Sequence, residues 1–180
     1  MIYQSEEMEM RAALEAAARV CAAARTAPKA CGVDRMHTLV LSDADKDAVA
    51  DEMERIAQEM GAGFFARDAG NVRAAQVLVL MGIEEGQRGL NEVCAYCHHE
   101  NCAACREANG VCVYDPMDVG IALGSAAATA ADCRMDSRIL FSAGRAAQNL
   151  GLMGENVRLI YGLPLSVSGK SPFFDRKKKA

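Results

Sequence analysis

The sequence has no tryptophan, and aromatic residues make up only 5% of its 180 positions. Proteins that track nucleic-acid strands rely on aromatic stacking platforms and a basic surface. Here 20 lysines and arginines face 24 aspartates and glutamates, so the net charge is −4 and no nucleic-acid partner is expected. Long apolar runs are missing as well. The longest uncharged stretch, Val119 to Ala131, has 13 residues and is mostly alanine and glycine. A membrane span takes about 20 predominantly apolar residues, so no membrane partner is expected. The start, Met1 to Glu7, is acidic and lacks the apolar core of a signal peptide, which predicts a cytoplasmic protein. Neither a G-x-G-x-x-G turn nor a P-loop occurs. Intrinsic disorder is excluded by an apolar fraction of 51% with 24% charged residues.

Much of that apolar fraction is alanine, 33 residues in all, so bulky core side chains are few. The length suits one domain, residues 1–180. A first helix is expected from a Ser5 cap to about Arg25, where Pro28 ends it. Thr38 to Leu41 reads as a short strand. Val49, Met53, Ile56 and Met60 recur at helical spacing on one face of a second helix, ended by Gly61 and Gly63. Gln76 to Met81 is a continuous apolar run, the pattern of a strand covered on both faces. Asp68 and Asn71, just before it, read as turn residues, and Asp118 and Asp136 as helix caps. A small-residue helix from Asp118 to about Ala131, a further helix over 139–150 and a strand over 157–161 follow. The segment 163–180 should dock without regular structure, since it carries Pro164, Gly169 and Pro172. Alternating strands and helices predict a layered α+β fold.

Eight cysteines are about 4% of the chain, below the roughly 8–10% of secreted disulfide scaffolds. Five of them fall within 19 residues: Cys94, Cys97, Cys102, Cys105 and Cys112. Thiolates this close can converge on one soft metal centre at little loop-closure cost. In a reducing compartment such clusters are metal ligands or redox groups. The two C-x2-C pairs are four residues apart, where zinc pairs are usually separated by a dozen or more. A compact loop around a bulkier [4Fe-4S] cluster fits that spacing better. Structural zinc and a metal-free thiol site are the alternatives. Cys105 and Cys112 compete for the fourth ligand position. His98 and His99 read as exposed loop residues, and Cys21 and Cys133 as small core residues.

Two cationic segments flank the chain. Arg25 and Lys29 surround the break at Pro28, and Lys170 lies in a Ser/Gly-rich stretch leading to Arg176. Such groups can hold a phosphate if the two ends of the chain meet.

Several separated segments together resemble a known family. They are Ala24–Ala30, the cysteine loop Cys94–Cys112, Asp118–Ser125, Asp136–Arg138 with Phe141–Gly144, and Gly162–Ser166 onward to Arg176. In this order they are similar to the uncharacterised ferredoxin-domain proteins of anaerobic bacteria and archaea, and the similarity spans nearly the whole chain. It implies a [4Fe-4S] centre in the insertion 94–112. A more distant resemblance is to nitroreductases, carried by Ala27-Pro28, the small-residue helix and Gly162 to Pro164. That resemblance implies a sheet with flanking helices, a homodimer and FMN at its interface. Arg25, Lys29, Lys170 and Arg176 would then contact the flavin phosphate. The implied activity is electron transfer to a redox partner protein or a small-molecule acceptor, with a flavin-dependent reductase as its extended form. The alternative is a non-enzymatic assembly module with structural zinc.

Overall fold

The computed structural model describes residues 1–174. Helix α1 (Ser5–Thr26) comes first, followed by a short 3-10 turn at Ala30–Gly32 and strand β1 (Met36–Ser42). Helices α2 (Asp43–Met60) and α3 (Gly63–Ala74) lead to strand β2 (Val77–Glu84). The cysteine segment contains a 3-10 turn at Asn91–Val93 and the short helix α4 (Cys102–Glu107). Helix α5 (Tyr114–Asp132), strand β3 (Asp136–Ser137), helix α6 (Phe141–Asn149) and strand β4 (Val157–Ser166) complete the described chain.

The four strands form one antiparallel sheet in the order β1-β2-β4-β3. β2 lies inside it, and its alternation divides the core. Val77, Val79, Met81 and Ile83 face α1 and α5, while Leu78 and Leu80 face α2, α3 and α6. The run is therefore covered on both faces, as its continuous apolarity requires. Burying each such side chain contributes about 1.5–3 kcal/mol.

On the first face the packing is done by alanine. Ala13, Ala16, Ala17 and Ala24 of α1 meet Ala122, Ala126 and Ala130 of α5, all buried. Side chains this small let the two helices approach closely, and Ser125 Oγ reaches the Ala23 carbonyl at 3.1 Å. The small-residue helix is thus a packing face on this side.

Several local expectations need correction. Ser5 is the first helical residue and Gln4 the cap, with no side-chain cap bond. Met60 is exposed at the end of α2, while Val49, Met53 and Ile56 turn inward. Gly61 stops α2 in the left-handed conformation, at φ 63°, but Gly63 opens another helix. Asp68 and Asn71 are buried residues of that helix, α3, rather than turn residues. Asp136 belongs to β3 and caps nothing. β4 runs on through Gly162 and Pro164 to Ser166, where irregular chain was expected. Gly162 pairs with Leu140 on the edge away from β2. Pro164, two residues on, turns its nitrogen to the same edge, between the Leu140 bridge and β3, where no ladder donor is needed.

Of the C-terminal segment, Gln76 holds Val167 by two hydrogen bonds and Phe173 is buried. Arg176 lies outside the described residues.

Candidate metal centre

The segment between β2 and α5 has little regular structure and few apolar side chains. Its shape comes from turns. Asn91, Ala95, His98 and Asn109 all take positive φ values, between 48° and 61°. Asn101 caps α4 through its side chain, accepting from the Ala104 N–H at 3.0 Å. The Gly110 N–H closes back on the Cys105 carbonyl at 2.8 Å.

These turns bring Cys94, Cys97, Cys102, Cys105 and Cys112 to the wall of a single recess. Arg88, Asn91, His99 and Tyr114 share that wall. Cys105 and Cys112 are buried and the other three are half-buried. All five thiols are free. The Asn91 N–H points at Cys102 Sγ, 3.4 Å away. Burial pushes the Cys105 thiol up, and hydrogen bonding to the nearby Cys97 adds to this. The Tyr114 hydroxyl is raised by its hydrogen bond with Cys94 and by burial. His98 is exposed, while His99 reaches the recess, its Nε2 beside Gly110. No three His, Cys, Asp or Glu side chains among the described residues converge as a single ion would require.

Beneath the recess is a buried ionic cluster that sequence reasoning missed. Arg88 NH1 meets Asp115 Oδ1 and Arg88 NH2 meets Asp118 Oδ2, each at 2.8 Å. The three side chains are at most 1% exposed. Asp115 Oδ2 accepts from the Gly86 N–H and Asp118 Oδ1 from the Ala30 N–H, both at 3.0 Å. Asp118 is therefore no cap. α5 starts four residues earlier, at Tyr114, and Asp118 ties the turn after α1 to the entrance of the cysteine segment. Burial pulls on the Arg88 guanidinium, but the bonds to Asp118 and Asp115 more than offset it and hold its pKa above the usual value. Arg88 Nε is buried with no partner. One signal was available in the sequence: Asp115 and Asp118, three apart, share a helix face and call for a cation.

The cations nominated for a phosphate are placed elsewhere. Arg25 is paired with Asp34 at 2.7 Å and bonds the Met36 carbonyl, which clamps the α1–β1 connection. Lys29 bonds the Arg25 and Ala27 carbonyls. Lys170 is exposed on the segment after β4. No hydrogen bond or ion pair among the described residues joins Lys170 to Arg25 or Lys29. Cys21 is half-buried in α1 and Cys133 half-buried at the end of α5, both packed against the core.

The fold is shared with flavoproteins. A nitroreductase-type protein in complex with FMN from Desulfovibrio desulfuricans aligns with a TM-score of 0.59 at 16% identity, over 91% of this chain and 78% of that one. A BluB-like flavoprotein from Clostridium difficile 630 aligns at 0.56 and 18%, over 92% and 83%. A nitroreductase family protein from Clostridium novyi NT aligns at 0.58 and 13%, over 85% and 73%. These likenesses show a nitroreductase-like α+β fold. In sequence, an uncharacterized protein of Archaeoglobus fulgidus is 34% identical over 187 residues, covering 99% of this chain and all of its own length. Residues 108–176 match the family described as uncharacterized proteins containing a ferredoxin domain (DUF2148). It is to this ferredoxin-domain family that the chain belongs.

Proposed function

We propose that the chain is an electron-transfer protein whose cysteine recess holds a [4Fe-4S] cluster. One observation carries this reading: five thiols line a single recess, four of them in two C-x2-C pairs only four residues apart. A tetrahedral zinc ion needs four ligands directed at one centre. A cluster takes one thiolate at each of its irons, so its ligands stand apart. Cys94, Cys97 and Cys102 would supply three ligands and Cys105 or Cys112 the fourth. The cluster would take up and release single electrons. The protein's part is to hold the thiolates, to keep water from the buried Cys105 and Cys112 side, and to donate the Asn91 N–H to Cys102. The electrons would pass to a redox partner protein or a small-molecule acceptor.

The FMN held by the Desulfovibrio desulfuricans protein suggests a flavin as an extension. In this chain it would require Arg25 and Lys29 to leave Asp34 and the backbone carbonyls that engage them. The proposal therefore rests on the cysteine centre alone.

The test is the absorbance of anaerobically purified protein before and after dithionite. Broad brown absorbance that bleaches on reduction is expected, lost in Cys94→Ser and Cys102→Ser and retained in Cys21→Ser and Cys133→Ser. A colourless protein carrying zinc would overturn the proposal in favour of the structural module. Resolved yellow bands would add the flavin.

A further inference from the structure

We infer that Arg88 is the positioning residue of the thiolate centre, holding a buried N–H donor for a sulfur at the recess wall. The inference rests on the reading of the recess as a thiolate metal site. It stands on three observations. Arg88 lines the same recess as the five cysteines. Its guanidinium is fixed from two sides by Asp115 and Asp118, with every side chain in the group at most 1% exposed. Its Nε–H has no partner, although NH1 and NH2 are both engaged.

A buried donor without an acceptor costs about 1–3 kcal/mol, so such groups call for an explanation. No acceptor within the described chain supplies one. A thiolate or cluster sulfur in the recess would, and it would be a charge-assisted acceptor. The planar fork explains why arginine occupies the position. Two of its nitrogens bind carboxylates while the third stays rigidly placed, which a lysine cannot reproduce. The cation also offsets part of the charge of two buried carboxylates beside a recess whose cysteines, once metal-bound, would be thiolates. Without it, two carboxylates would face those thiolates directly and disfavour both metal loading and reduction.

Three chains separate this role from simple structural support: wild type, Arg88→Lys, and the charge-compensated triple Arg88→Met/Asp115→Asn/Asp118→Asn. The last stands in if the single variant fails to fold. Each is reduced, freed of metal, checked by circular dichroism and titrated with Cd(II), following thiolate-to-metal absorbance. The iron-loaded forms are then compared by midpoint potential. The expected result is folded variants that bind Cd(II) at least tenfold more weakly, with the Arg88→Lys potential shifted to more negative values. Folded variants with wild-type Cd(II) affinity and an unchanged potential would overturn the assignment. Cd(II) binding reports on thiolate assembly whichever metal is native. A wild-type chain that loads no iron, while its Cd(II) binding still depends on Arg88, would therefore sink the iron–sulfur reading and leave the role of Arg88 standing.

Discussion

At the scale of single residues, the least tolerant positions are those where backbone meets backbone or a buried polar group has one partner. Gly144 in α6 is packed on β4 so closely that an added Cβ would lie 1.7 Å from the Ile160 carbonyl oxygen. Neither atom belongs to a flexible side chain, so α6 would have to shift away from the sheet. Gly144→Ala is expected to cost about 3 kcal/mol, read as a lowered midpoint in urea unfolding. An unchanged midpoint would mean that α6 is free to move. Ser142, in the same helix and fully buried, donates to Asp68 Oδ2 at 2.8 Å. Ser142→Ala leaves that carboxylate oxygen without its partner, for an expected loss of about 1–3 kcal/mol in the same measurement. The pair was illegible in the sequence. Asp68 and Ser142 are 74 positions apart, and a polar residue before a strand reads locally as a turn. The Arg88 cluster was hidden for the same reason, since Arg88, its two carboxylates on α5 and the Ala30 N–H come from three segments. Cysteine spacing, by contrast, is a local signal, and it alone was enough to nominate the five residues that the fold gathers at one recess.

Among the elements, β2 and the cysteine segment represent opposite extremes. β2 is stabilised by apolar burial on both faces, and its continuous apolar run was readable because the two cores it separates demand nothing else of it. Leu80→Ala, at a fully buried position, is expected to cost about 2–5 kcal/mol, measured by thermal or urea unfolding. The cysteine segment has almost no core of its own. Only Cys105 and Cys112 among its thiols are buried, and the chain turns through positive φ at four non-glycine positions. Its order should depend on whatever occupies the recess and on the Arg88 tether. Hydrogen exchange is expected to show fast exchange over 89–113 in metal-free protein and protection there once metal is bound, while β2 stays protected in both. Equal protection with and without metal would show that the segment is held by the protein alone. β4 illustrates how an element can be misread at one end. Gly162 and Pro164 are strand breakers by composition, yet the ladder tolerates them because one approaches Ala143 closely and the other needs no donor.

For the whole molecule, the architecture places a polar, cysteine-lined segment at one end of an alanine-packed α+β layer. Helix α5 connects the two. Its first turns anchor the ionic cluster, its inner face packs on α1, and its outer face is left open. On that outer face Met117 and Ile121 are 45% and 40% exposed, one turn apart, with Gly120 and Gly124 exposed beside them. The homodimer that the nitroreductase resemblance implies would pack through this face. Sedimentation should then give twice the 19.2 kDa chain mass, and Ile121→Glu should return the single-chain mass. A monomeric wild type would contradict it. No helix among the described residues is long and apolar enough to cross a membrane. The fold class was legible because strand and helix periods alternate along the chain. Strand order and antiparallel pairing were not, since they depend on long-range register.

The function of the protein depends on what the recess holds. The most direct measurement is iron, acid-labile sulfide and zinc per chain, assayed together on protein purified without oxygen. The prediction is about four irons and four sulfides per chain with zinc near zero. One zinc per chain without sulfide would contradict the iron–sulfur centre and leave a structural module in its place.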